Sequence, residues 1–131
     1  MSAIALGRHH LADFFGCRKD VINNKDFVRA QMIEAARKAK ATVVADVFHQ
    51  FNPHGLSGVV VIAESHLAFH SWPEYGCVAI DLFTCSDSMD AQAAIDHLAR
   101  VFAAGRVTLR ELDRGMPPPL ALEESHERIG L

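Results

Sequence analysis

The nine residues from Cys77 to Cys85, Cys-Val-Ala-Ile-Asp-Leu-Phe-Thr-Cys, change character at almost every step. A period of two puts Cys77, Ala79, Asp81, Phe83 and Cys85 on one face of a β-strand. Val78, Ile80, Leu82 and Thr84 fall on the other, and that apolar face needs a second layer to cover it. Two flanking segments can supply the layer. Asn23 and Asn24 are N-cap candidates for a helix over 25–40, with Val28, Met32, Ala35, Ala36 and Ala39 in one stripe. Asp26 near its start and Lys38 and Lys40 near its end suit the helix dipole. Ser86 to Asp90 form a capping cluster for a second helix over 90–104. Its stripe is Ala91, Ala94, Ile95, Leu98 and Phe102, and Gly105 is placed to end it.

Further strands are expected over 3–15, 42–51, 58–63 and 107–112, separated by the turn sequences Asn52-Pro53-His54-Gly55 and Trp72-Pro73-Glu74-Tyr75-Gly76. The order is β-α-β-β-β-α-β. This is an α+β fold, a two-layer sandwich with two helices on one face of an antiparallel-rich sheet. A chain of 131 residues is expected to form one domain, over 1–112, with an irregular tail over 113–131 that holds three prolines. A core this small favours a homo-oligomer that buries one sheet face.

Composition removes several classes of function. A formal charge of −3 leaves no basic footprint for nucleic acid. The longest apolar runs are far shorter than the ~18–20 residues of a membrane span, and Met1 to Gly16 lacks the apolar core of a secretory signal. Cys17, Cys77 and Cys85 are odd in number and form no CxxC pair, which fits free thiols in a reducing cytoplasm.

Residues 63–72, Ala-Glu-Ser-His-Leu-Ala-Phe-His-Ser-Trp, fit no single element well. His66 and His70 have the spacing of a helical metal pair, yet a strand precedes them and Pro73 follows. On a strand they would share a face about 13 Å apart, too far for one ion. No third ligand has recognisable spacing, so no metal is expected. Ser65 alone reads as a strand-end hydroxyl, because Ala63 and Leu67 occupy the glycine positions of a hydrolase nucleophile elbow. Cys85 alone reads as a small buried residue. Convergence of Ser65, His70 and Cys85 at one sheet end would join a nucleophile, a base near neutrality and a second proton donor. Spacing leaves that convergence open.

The stretch from Ser57 to Asp87 resembles the small bacterial and archaeal S-adenosylmethionine decarboxylase proenzymes. Three blocks carry the resemblance: Glu64-Ser65-His66, Trp72-Pro73-Glu74-Tyr75-Gly76 and Asp81-Leu82-Phe83-Thr84-Cys85. Leu6 to His9 and Phe48 to Gly55 extend it across most of residues 4–112. The resemblance implies self-processing, in which the Ser65 hydroxyl attacks the Glu64 carbonyl. A β subunit of 1–64 and an α subunit of 65–131 result, the latter headed by a pyruvoyl group made from Ser65. That group forms a Schiff base with the substrate amine, so neither pyridoxal phosphate nor metal is needed. By the same resemblance His70 takes the α proton during processing, Ser57 assists, and Cys85 protonates the decarboxylated substrate. Phe51 stacks on the substrate and Glu74 binds its ribose hydroxyls. The substrate would be S-adenosylmethionine, the product an aminopropyl donor for spermidine and other polyamines, and the assembly a cytoplasmic homodimer.

Cys77 replaces an aromatic residue of the family pattern, and Ser88 to Gln92 replace a helix start that contains Pro and Trp. The motif therefore reports the electrophile more firmly than the substrate, and pyruvoyl decarboxylases of ornithine or arginine share the fold. A silent regulatory paralogue would be expected to lose Ser65, His70 or Cys85. All three are present.

Overall fold

The computed structural model describes residues 5–117. Six strands, β1 (Gly7–Phe15), β2 (Val43–Gln50), β3 (Leu56–Ile62), β4 (Ser65–Trp72), β5 (Cys77–Thr84) and β6 (Arg106–Arg114), form one sheet in the order β2-β3-β4-β5-β1-β6. Every pairing is antiparallel. Three helices, α1 (Lys19–Ile22), α2 (Lys25–Lys38) and α3 (Ala91–Val101), complete the fold, and one turn of 3₁₀ helix (Pro73–Tyr75) links β4 to β5. The class is the expected two-layer α+β sandwich. No helix among the described residues is long and apolar enough to cross a membrane.

The expected order β-α-β-β-β-α-β needs two additions. Residues 65–72, which looked like an interruption, form a full strand paired on both sides. Leu67, Phe69 and Ser71 are buried in it, while His70 and Trp72 are exposed. Its alternation is hidden because the covered face carries two serines and the other face an alanine and a tryptophan. The second addition is α1, too short for any helical period to register. At the far end β6 runs on to Arg114, past the expected limit of Leu112. The rest of the expected tail, 118–131, lies outside the described residues.

Both apolar stripes form the core. Val28, Met32, Ala35, Ala36 and Ala39 from α2 and its end are buried with Ala91, Ala94, Ile95, Leu98 and Phe102 from α3 and its end. They lie against Val78, Ile80 and Leu82 of β5 and Leu67 and Phe69 of β4. Asn24 caps α2, its side chain accepting from the Phe27 N–H at 3.1 Å, and Asp90 caps α3 by accepting from the Ala93 N–H at 3.0 Å. Both caps satisfy a backbone donor that the helix itself leaves free. Asn23 is no cap. It turns to the loop after β2, where it accepts from the Gly55 N–H at 2.9 Å. The left-handed residue that ends α3 is Ala103 (φ 58°), whereas Gly105 starts the return into β6 by donating to the Phe15 carbonyl at 2.8 Å.

Gly58 and Phe48 are directly paired between β3 and β2, and the Phe48 ring lies over the glycine. A Cβ on Gly58 would stand 2.0 Å from Phe48 Cδ2. Gly58→Ala should therefore destabilise the fold by about 1–3 kcal/mol through overpacking, read as a lower denaturant midpoint. An unchanged midpoint would show that the ring is not seated there.

Between the helices, His97 of α3 is 7% exposed. Arg100 Nη2 donates to its Nδ1 at 3.1 Å, so its Nε2 carries the hydrogen and donates to Gln31 Oε1 at 2.8 Å. Burial, reinforced by the cations of Lys38 and Arg100, holds the imidazole below its ordinary pKa. The neutral form is thus favoured on folding. The unfolded chain takes up the proton first, so the stability tied to this site is present above about pH 6.5 and declines as pH falls toward the folded pKa. His97→Gln should flatten the acid-side fall in unfolding midpoint. A variant whose pH profile overlays the parent would refute this role.

Candidate active site

The Glu64–Ser65 bond sits at the tip of the β3–β4 hairpin. Ile62 pairs directly with Ser65, leaving Ala63 and Glu64 as a two-residue turn, and the Ala63 N–H donates to the Thr42 carbonyl at 2.9 Å. Glu64 has φ 62°, a left-handed conformation that costs a residue with a Cβ roughly 1–2 kcal/mol. The next hydroxyl, Ser65 Oγ, is buried and has no hydrogen-bond partner among the described residues. The bond thus joins a left-handed residue to a serine whose hydroxyl has no hydrogen-bond partner among the described residues. Beside it lies a cleft of about 190 Å³ bordered by Lys40, Thr42, Glu64, Ser86, Ser88 and Met89.

Cys85 belongs to the same end. It follows Thr84, the last residue of β5, and Thr84 pairs with Ser65 across β4 and β5. Its thiol is exposed. On the uncovered sheet face at this end, His66 stacks on Phe83 with centroids 5.8 Å apart, and His9 meets the same ring edge-on.

The other end of the same hairpin carries a second group. Ser57 pairs with His70, and its hydroxyl lies 3.2 Å from His70 Nδ1. Trp72, two residues on and so on the same face, stacks on the His70 ring at 6.3 Å. Phe51 follows β2, half exposed, with the His49 ring edge-on at 4.7 Å. Glu74 stands on the 3₁₀ turn, and His54 Nε2 reaches its Oε1 at 3.1 Å. Phe51, His54, His70, Trp72 and Glu74 surround a cleft of about 160 Å³.

A single chain therefore gathers Glu64, Ser65 and Cys85 at one end and Phe51, Ser57, His70 and Glu74 at the other. Ser65, His70 and Cys85 do not converge within it. Five residues of strand separate Ser65 from His70, about 17 Å, and the odd spacing puts the two side chains on opposite sheet faces. His49, His54 and Trp72 joined no expected site. The i, i+2 spacings of His49 with Phe51 and His70 with Trp72 announce shared faces, but the second is readable only once residues 65–72 are recognised as a strand.

A family model described as S-adenosylmethionine decarboxylase matches residues 8–115. The chain belongs to the S-adenosylmethionine decarboxylase family. It is 47% identical to the S-adenosylmethionine decarboxylase proenzyme of Acidithiobacillus ferrooxidans over 125 residues, covering 95% of this chain and 94% of that one. It is 45% identical to the proenzyme of that name from Thermotoga maritima over 120 residues, covering 92% of each. Among solved structures, the adenosylmethionine decarboxylase of Aquifex aeolicus superposes with a TM-score of 0.80 at 33% identity, covering 88% of this chain and 95% of that one. A Trypanosoma brucei structure shares the fold alone, with a TM-score of 0.56 at 14% identity over 78% of this chain and 44% of that one.

The three thiols of this family member differ in exposure. Cys85 is exposed, Cys77 is partly covered, and Cys17 is buried. Burial, with Cys77 close by, pushes the Cys17 thiol up to about 11. Because the thiolate is the nucleophile, iodoacetamide near pH 8 should alkylate Cys85 first and leave Cys17 unmodified until the chain unfolds. Peptide mass mapping reads the order, and early labelling of Cys17 would contradict the packing described.

Proposed function

We propose that this member of the family is a self-processing, pyruvoyl-dependent decarboxylase that converts S-adenosylmethionine to its decarboxylated form, an aminopropyl donor for polyamine synthesis. The observation that carries the reading is the Glu64–Ser65 bond itself. A left-handed glutamate precedes a serine whose buried hydroxyl has no partner among the described residues. Attack of Ser65 Oγ on the Glu64 carbonyl carbon forms a C–O bond and breaks the C–N bond, and the hydroxyl proton passes to the freed nitrogen. Loss of the Ser65 α proton then expels the Glu64 carboxylate. Hydrolysis releases ammonia and leaves the pyruvoyl group at the head of the 65–131 fragment, with 1–64 as its companion.

The pyruvoyl carbonyl supplies the electron sink that decarboxylation requires. Side chains from both ends of the sheet do the rest. Cys85, at the same sheet end as Ser65, returns a proton to the substrate carbon. Phe51 offers a ring face to the adenine and the cationic sulfonium, and Glu74 accepts from the ribose hydroxyls.

The base that removes the Ser65 α proton is His70 of the partner subunit, assisted by the partner's Ser57, because a chain's own His70 lies about 17 Å away. A homodimer with two-fold symmetry brings opposite ends of two sheets together at two equivalent sites. The uncovered face supports that assembly, since Val47, Val61, Trp72 and Leu112 are exposed on it and a partner chain laid there would remove them from water. Three free cysteines support a reducing, cytoplasmic setting. Relatives named for S-adenosylmethionine favour that substrate over ornithine or arginine.

Ser65→Ala alone and His70→Ala alone should each give a folded, uncleaved chain of 14.4 kDa without carbon dioxide release from S-adenosylmethionine. Refolded together they should form mixed dimers in which only the His70→Ala chain is cut. Intact-mass spectrometry reads the outcome. Cleavage of His70→Ala by itself would overturn the two-chain site, and turnover by Ser65→Ala would overturn the mechanism.

A further inference from the structure

We propose that His54 is a positioning residue that holds the Glu74 carboxylate in the orientation that receives the substrate's ribose diol. The inference rests on the function proposed above, in which Glu74 meets that diol, and it gives a role to a residue that lies outside both the processing and the decarboxylation steps.

His54 Nε2 lies 3.1 Å from Glu74 Oε1, although the two side chains are 40% and 39% exposed. Burial does not force this contact. A pair so exposed adds little to stability, so the contact matters for geometry. Both backbones that bring the groups together are fixed. On the His54 side, the Phe51 N–H donates to the Gly55 carbonyl at 2.8 Å. From behind, the Gly55 N–H donates to Asn23 Oδ1 at 2.9 Å, and Gln50 Nε2 donates to the Asn23 carbonyl at 2.8 Å. Gly55 has φ 105°, a conformation that side chains rarely adopt, so the loop closes there because the residue is glycine. On the Glu74 side, Pro73 opens the 3₁₀ turn, and the Gly76 N–H returns to the Pro73 carbonyl at 3.1 Å.

A carboxylate accepts at two oxygens through about four lone-pair positions. With Oε1 3.1 Å from His54 Nε2, Oε2 has no hydrogen-bond partner among the described residues and is available to hydroxyl donors at the mouth of the cleft shared with Phe51, His70 and Trp72. An unheld glutamate on an exposed turn samples several rotamers and must be ordered anew each time substrate binds. Losing His54 therefore acts on ground-state binding, by about 3- to 10-fold for one immobilised side chain. Steps at Ser65 and Cys85 should not sense it.

The test uses the full chain, with processing measured by intact mass and turnover by carbon dioxide release. His54→Ala should process fully and raise KM for S-adenosylmethionine about 3- to 10-fold with kcat nearly unchanged, the signature of lost uniform binding. His54→Gln, which keeps an N–H donor, should recover much of the KM. Adding His54→Ala to Glu74→Gln should change KM little further, because coupled neighbours are not additive. A nucleoside thioether with an intact diol should lose inhibitory strength against His54→Ala, while its 2′,3′-dideoxy counterpart should not. Unchanged KM, or equal loss for both inhibitors, sinks the assignment. A parallel fall in unfolding midpoint and processing without rescue by His54→Gln makes the residue structural and sinks it too. Failure of the parent chain to turn over S-adenosylmethionine sinks the functional reading and this proposal with it, whereas failure in the variants alone sinks only this one.

Discussion

Among the described residues, helices cover only one face of the six-stranded sheet, and the placement of the candidate site follows from that asymmetry. Among the described residues, two helices plus a single helical turn form the second layer. Small residues in α2 let it lie close on the strands, and the wider side chains of α3 and its end, Ile95, Leu98 and Phe102, fill the remaining volume. The uncovered face is then free to carry side chains that a dry core would not tolerate. His49, Ser57, His66, His70 and Asp81 stand there, and apolar valines between them leave a surface that is neither solvent-like nor closed.

The β3–β4 register turns this surface into chemistry. One ladder pairs Ser57 with His70 and Ile62 with Ser65. A slip of one residue would reverse every side chain of the strand and dismantle both ends together. The ladder is pinned on the covered side. Ser71 accepts from the Leu56 N–H at 3.1 Å and donates to the Ile22 carbonyl at 2.9 Å, although it is 6% exposed. A buried polar side chain with both functions satisfied specifies alignment better than an apolar one.

Where burial has a period, the sequence was readable. The two helical stripes and the β5 alternation predicted core residues one by one, and the caps at Asn24 and Asp90 were visible in advance. Strand β4 was not, because serines on its covered face and Trp72 on its open one blur the contrast that marks a half-buried strand. That single omission hid the placement of the candidate site. Once the segment is a strand, His70 must lie far from Ser65 on the other face. The local blocks around Ser65 and Cys85 were enough to reveal the family, since each is contiguous in the sequence. The grouping of His54 with Glu74 and of Trp72 with His70 depends on two loops folding toward each other, and no spacing along the chain encodes that.

The turn at Ala63 and Glu64 has a mechanical consequence. A chain cut at a hairpin tip loses no rung of the ladder. The pairings from Leu56 with Ser71 to Ile62 with Ser65 all lie on the same side of the break. The two pieces then remain one sheet, with the first supplying β1, β2 and β3 and the second β4, β5 and β6. They interleave, since β1 lies between β5 and β6. Neither fragment could leave without tearing the other's strands apart, so the proposed scission would change covalent connectivity while the solid body stayed whole. What such a cut would release is two chain ends, at 64 and 65, at the rim of a framework that does not move.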